Sequence, residues 1–250
     1  MDLNCDLGER EDAAGIADDL ELLGIVSSAN VACGGHAGDE RSMLRTVTAA
    51  LARGVAIGAH PAYPDRVNFG RMRCDMAASE LEDAVAAQVE AMLRIVERCG
   101  GKLSHVKPHG ALYHAAMRER SVAEAVARGV GRVRGEVFLV GLAGAPALDV
   151  WRGLGFHVVA EAFADRRFEP GGSLRPRSKP DALIDNPAEA AAQAVAIATG
   201  EDVRDAEGGC LSVRAETICV HSDTFGAVRI ARSVREALTR AGVRVEPPRR

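Results

Sequence analysis

The chain has 250 residues, is 47% apolar and 26% charged, and carries a formal net charge of −4 with its basic residues scattered rather than blocked. That balance argues against a nucleic-acid groove or an anionic membrane surface as partner, and no run of about 18 apolar residues offers a membrane span. A single domain over residues 1–250 is expected, since one α/β barrel commonly reaches about 250 residues.

The chain opens MDLNCDLGE, without the basic and apolar regions of a signal peptide. Its six cysteines are far apart and include no C-x-x-C pair, which points to reduced thiols and a cytoplasmic protein.

Seven strand-like runs recur along the chain, beginning with MDLNCD (1–6) and IVSSANVA (25–32). The second run flows into NVACGGHAGD (30–39), whose small residues permit a sharp bend. We read this as a βα loop that aims His36 across the end of the sheet, with Asp39 capping a helix that ends near Gly54. After VAIGAH (55–60) comes a long connection, 61–78. A helix follows with a capping-box pattern at Ser79 and Glu82, apolar positions at Val85, Val89, Met92, Val96 and Cys99, and a stop at Gly100.

KLSHVKP (102–108) is the fourth strand, continued by His109 and Gly110, and EVFLVG (136–141) and FHVVAEAF (156–163) are the fifth and sixth. The second long connection, 162–185, is rich in arginine, glycine and proline; such loops tend to be lids or binding loops. Asn186 and Pro187 start another helix, with Glu189 placed to close its cap. TICVHSD (217–223) is the last strand, and Asp223 reads as the cap of a helix ending near Gly242. Strands alternating with helices predict an α/β fold built on a parallel sheet.

Residues two apart share a face of a strand. Asp2, Asn4 and Asp6 therefore lie together, as do Ser28 with Asn30, Gly58 with His60, His105 with Lys107, His157 with Glu161, and Thr217 with Cys219 and His221. If the apolar faces pack under helices, the polar faces point into a barrel, and Asp6, Asn30, His60, Lys107, Glu161 and His221 meet at its C-terminal mouth, where barrel enzymes place their chemistry. His36 and His109 join them from loops. Asp2, Asn4, His105 and His157 are expected deeper, as a satisfied network. Arginines of the two long connections, at 66, 71, 73, 166, 167, 175 and 177, are solvated surface or carboxylate and phosphate donors.

Imidazoles and carboxylates in this number could hold a divalent metal, but no H-E-x-x-H spacing is present. No phosphate loop of the G-x-x-x-x-G-K-[ST] kind is present either.

DLNCDLGE, SSANVACGGHAGD, GAHPAYPD, HVKPHGALY, EAFADR and VHSD occur in this order over residues 2–223, and in this the chain resembles the LamB/YcsF family of lactam-utilisation proteins. The resemblance implies a seven-stranded, TIM-like (β/α) barrel of the glycoside hydrolase/deacetylase type. It also implies the A subunit of an ATP-dependent 5-oxoprolinase, working with subunits B and C to open 5-oxo-L-proline to L-glutamate. ATP is then used by the assembled complex. Departures from the family pattern include Gly35 where an aromatic is common, GEREDAAG without its usual glycine-phenylalanine-glycine, Asn68, Met72, His114 and Ser222.

The expected catalytic set is Asp6, His36, His60, Lys107, His109, Glu161 and His221, with Asn4, Asn30, Arg71 and Arg166 at the substrate. In this scheme His60 or His109 is the base on water, Lys107 stabilises negative charge on oxygen, and Asp6 or Glu161 orients or protonates them. The rival readings are a stand-alone metal-dependent deacetylase or amidohydrolase, and a non-catalytic lactam-binding subunit of a complex.

Overall fold

The computed structural model describes residues 1–133 and 136–249. Along the chain β1 (Asp2–Leu7), β2 (Ser28–Ala32), β3 (Ala56–His60), β4 (Leu103–Val106), β5 (Phe138–Leu142) and β6 (Val158–Phe163) pair in sequence order. A short antiparallel ribbon of β7 (Val203–Arg204) and β8 (Cys210–Leu211) intervenes, and β9 (Thr217–His221) then inserts between β6 and β1. The seven long strands form a closed parallel barrel, the fold expected from the sequence.

The helices are α1 (Ala13–Leu22), α2 (Glu40–Leu51), α3 (Ala78–Arg98), the pair α4 (Gly110–Arg118) and α5 (Arg120–Gly131), α6 (Pro146–Gly153), α7 (Pro187–Thr199) and α8 (Ala227–Arg240). None of the described helices is long and apolar enough to cross a membrane.

The period-two pattern explains the two cores. Leu3, Cys5, Leu7, Val31, Ile57, Val106, Leu139, Ile218 and Val220 face outward and join the helices' Val47, Val89, Met92, Trp151 and Leu238 in one large buried cluster. Each such side chain contributes about 1.5–3 kcal/mol by leaving water. Inside the barrel, Phe138, Val140 and Val159 form a separate apolar plug. Asp2 lies low in the interior, where its carboxylate accepts from Ser27, Ser28 and Thr217 hydroxyls at 2.6–2.8 Å. His157 departs from expectation: it shares the Glu161 side of its strand but precedes β6 and is exposed at the opposite end of the barrel.

Asp39 caps α2 as the sequence suggests, accepting from Ser42 N at 2.7 Å while Ser42 Oγ accepts from Asp39 N at 2.8 Å. Asn186 Oδ1 likewise accepts from Ala188 N and Glu189 N, although the Glu189 side chain pairs with Arg167 instead of closing the cap. Two other caps are corrected. α3 starts one residue earlier than Ser79, with Glu80 rather than Glu82 reaching back to accept from Ala77 N. α8 is preceded by Gly226, because Asp223 turns away to bind Arg71 and Arg177.

Gly58 shows how tightly the interior is filled. It lies beside His105 in register, and a Cβ there would sit 2.1 Å from His105 Nε2, which is itself held by Asn30 Oδ1 at 2.8 Å. Gly58→Ala is expected to lower unfolding free energy by about 1–3 kcal/mol through overpacking. Urea denaturation checks this, and an unchanged midpoint would contradict it.

Candidate active site

The floor of the barrel mouth is built around one ammonium. Lys107, just past β4, places Nζ 2.8 Å from Glu161 Oε1, 3.0 Å from Asp6 Oδ1 and 3.2 Å from Cys219 Sγ. Asn30 Nδ2 donates to Asp6 Oδ1 and to Asn4 Oδ1, and Asn4 Nδ2 donates to Glu161 Oε1 and Thr217 Oγ1. Burial alone would raise the pKa of Asp6, yet His60 and Lys107 hold it well below the usual carboxylate range. Burial likewise opposes charge on Lys107, but Asp6, Cys219 and Glu161 raise it well above the ordinary lysine value.

A cluster of imidazoles stands above this floor. His60 Nδ1 donates to the Lys107 carbonyl at 2.7 Å, and His109 Nε2 donates to the Phe69 carbonyl at 3.1 Å. Their other nitrogens, His60 Nε2 and His109 Nδ1, are 3.0 Å apart. The His36 ring stacks on His109 with centroids 3.6 Å apart, and its Nε2 lies 2.9 Å from Glu9 Oε1. The loop after β3 closes over these rings. Phe69 adopts a left-handed φ of 56°, uncommon for an aromatic residue, and this turn presents its carbonyl to His109. A Cβ on Gly70 would come within 2.8 Å of His36. Burial, followed by the charge of His60, pushes His36 down to about 2 and His109 well below its ordinary value. Burial, then Asp6, raises Glu9 to about 7.

A third group comes from the ends of β6 and β9. Asp165 is fully buried and holds His221 Nδ1 through both carboxylate oxygens at 3.0 and 3.1 Å, the His221 N–H at 3.0 Å and the Thr224 hydroxyl at 2.8 Å. Burial would raise Asp165; contact with His221 outweighs it and keeps the carboxyl below its usual value. With Nδ1 engaged, Nε2 is the nitrogen left to meet a ligand.

His221 lines a cavity of about 390 Å³ shared with Asp6, Glu9, His60, Lys107 and His109, and walled by Tyr113 and by arginines from the two long connections. Arg166 is buried, donating from Nη2 to the Arg175 carbonyl while its Nε has no partner among the described residues. Burial and the nearby Arg177 lower Arg166 to about 10. Arg71 and Arg177 converge on Asp223.

The structure thus gathers Asp6, His60, Lys107, His109 and His221 on one cavity, with Arg71 and Arg166 on its walls. His36 stands behind His109, and Glu161 lies beneath Lys107 with none of its surface exposed. Asn4 and Asn30 do not reach the cavity: their amides are engaged by the floor network, which corrects the expectation that they meet substrate.

Glu9, Tyr113 and Asp165 belong to the site although sequence reasoning did not single out their roles, and Arg177, one of the candidate donors of the second long connection, lines it too. Glu9 and Asp165 lie two residues beyond their strands, where face alternation no longer applies. The signal for both was their place in DLNCDLGE and EAFADR.

Among the described residues, three groups present ligand-type atoms within 4.8 Å of one another and could hold a cation: Asp6–His60–His109, Glu9–His36–His109 and Asp6–Cys219–His221.

Fold and site together define a (β/α)-barrel protein with ionisable groups gathered at the C-terminal ends of its strands. The chain belongs to the LamB/YcsF family, whose model matches residues 1–250. It is 48% identical over 249 residues to the 5-oxoprolinase A subunit of Chloroflexus aggregans, covering 100% of this chain and 99% of that protein. It is 42% identical to the protein of the same name from Tolumonas auensis, with 98% of each covered. The crystal structure of the lactam utilization protein from Thermus thermophilus superposes with a TM-score of 0.92 at 42% identity, again covering 98% of both chains.

Proposed function

We propose that this chain is the ring-opening subunit of an ATP-dependent 5-oxoprolinase, hydrolysing 5-oxo-L-proline to L-glutamate together with partner subunits of the B and C kind. The observation that carries the reading is the Asp165–His221 pair facing an arginine-walled cavity sized for a small acid. Names of full-length relatives support the same role.

A lactam is a resonance-stabilised amide, so its carbonyl carbon resists attack by water. In the assembled complex ATP supplies the activation, as phosphorylation of the amide oxygen would. His221, oriented by Asp165, takes a proton from water as the oxygen adds to the carbonyl carbon. The ring C–N bond then breaks and the departing nitrogen takes up a proton to become the amine; a second water releases inorganic phosphate from the acyl phosphate so formed, leaving glutamate, with ADP left from ATP. Arg166, with Arg71 and Arg177, holds the substrate carboxylate. Lys107 supplies an ammonium on the cavity floor that faces developing negative charge. We assign the base to His221 rather than to His60 or His109, because those two rings direct their inward nitrogens at each other.

The test is glutamate formation from 5-oxoproline and ATP by the reconstituted complex, with and without this chain. Equal rates would remove the proposal. Arg166→Met should raise KM for the lactam about 10- to 100-fold, the worth of a charged hydrogen bond of about 1.5–3 kcal/mol, while kcat changes less. Steady-state kinetics check this; an unchanged KM would remove Arg166 from the substrate.

A further inference from the structure

One carboxylate ties three parts of the cavity rim together. Asp223, two residues past the end of β9, accepts from Arg71 of the loop after β3 and from Arg177 of the second long connection, with Arg177 Nη1 2.9 Å from Oδ2 and Nη2 3.3 Å from Oδ1. All three side chains line the cavity.

Two of these three parts are anchored elsewhere. The loop after β3 is pinned by Ala111 N, which donates to Gly70 O at 2.9 Å, by His109, which donates to Phe69 O, and by Arg66, which donates to the Gly34 and Gly38 carbonyls. Arg71 also rests over the Phe69 ring, 5.0 Å from its centroid. Asp223 is held in place by its neighbours, because the His221 N–H and the Thr224 hydroxyl both donate to buried Asp165.

Residues 169–183 are different: they form a tongue closed on itself. Glu169 N donates to Ser173 O at 2.7 Å, Arg175 pairs with Glu169 and Asp181, and Arg166 reaches the Arg175 carbonyl. Arg167 N to Ala182 O and Ile184 N to Asp165 O close its base. Among the described residues, the hydrogen bonds from 169–183 to any segment outside the long connection are those of Arg177 to Asp223. The side chains of Arg71, Asp223 and Arg177 are 47, 26 and 35% exposed, so water competes for each contact and the tie is weak enough to break and reform.

We propose that Asp223 is a latch: through Arg177 it closes the tongue over the doorway, and a small carboxylate entering the cavity releases it by taking Arg71 and Arg177 in its place. To a guanidinium fork one carboxylate is equivalent to another, so the exchange replaces an internal ion pair with one to the ligand. The exchange rests on the proposed function, in which these arginines hold the substrate carboxylate. The closing contact does not, and the two are tested separately.

In the first arm the ligand-free full chain is digested briefly with subtilisin, a protease of broad specificity, and cuts within 169–183 are located by mass spectrometry. Asp223→Asn keeps the size of the side chain and removes its charge. It should be cut in the tongue about 5-fold faster than wild type at an unchanged unfolding midpoint, because cleavage tracks the population of the open form. Glu90→Gln, which removes an exposed carboxylate from α3, should be cut at the wild-type rate. Tongue cleavage unaffected by Asp223→Asn, or raised equally by Glu90→Gln, would overturn the latch whatever the ligand.

In the second arm the same chains are titrated calorimetrically with 5-oxo-L-proline and with 2-pyrrolidinone, the same ring without the carboxylate. Asp223→Asn should bind 5-oxo-L-proline about 3- to 10-fold more tightly, the worth of the exposed pairs no longer displaced. 2-Pyrrolidinone, over which the latch closes again, should bind both chains alike. A gain shared equally by 2-pyrrolidinone, or no gain for 5-oxo-L-proline, would overturn the exchange. With the first arm intact, that second failure would count against the substrate contacts assigned to Arg71 and Arg177 and leave the closing contact standing.

Discussion

His221→Ala is expected to lower the rate of glutamate formation by the complete complex by about 10²- to 10⁴-fold, the range for removing a general base. KM should change little, since the carboxylate contacts are assigned to arginines. The effect arises because the ring is presented by a buried partner: Asp165 engages Nδ1 at 3.0 Å and also fixes the residue's own backbone N–H. Asp165→Asn should therefore also lose activity, by misorienting the ring or favouring the wrong tautomer, the failure known from catalytic triads. Steady-state kinetics on both variants, with circular dichroism to confirm the fold, check the pair. A His221→Ala enzyme within threefold of wild type would place the base elsewhere.

The second large effect concerns stability. Lys107→Met should destabilise the chain by about 3–5 kcal/mol, because it leaves Asp6 and Glu161 buried beside each other without their common cation. The lysine is 2% exposed and Glu161 0%, so water is a poor replacement for the lost partner. Equilibrium urea denaturation measures the change. A partial return of stability in the double variant Lys107→Met/Glu161→Gln would show that the cost is the stranded charge and not lost packing.

Much of this was legible in the sequence, for reasons that differ by residue. Alternation along MDLNCD and TICVHSD places Asp6 and His221 on the inner face because a strand has a period of two, and the barrel follows from repeated βα units. The same rule misplaced His157, since alternation gives a side of the strand and not a height along the barrel axis. It also could not separate Asn4 and Asn30, whose amides are occupied below the floor, from residues that reach the cavity. Glu9 and Asp165 escaped because loop geometry decides where they point. The cap expected at Asp223 failed because two arginines from distant loops bind the same carboxylate, a competition that no local pattern records.

The apolar plug of Phe138, Val140 and Val159 has a consequence for traffic. With the lower end of the barrel stoppered by hydrocarbon, reactant and product must share one doorway. That doorway is framed by the segments carrying Arg71 and Arg177, so under the proposed function product has to leave before the next substrate can enter. Exchange through this entrance then sets the order of events.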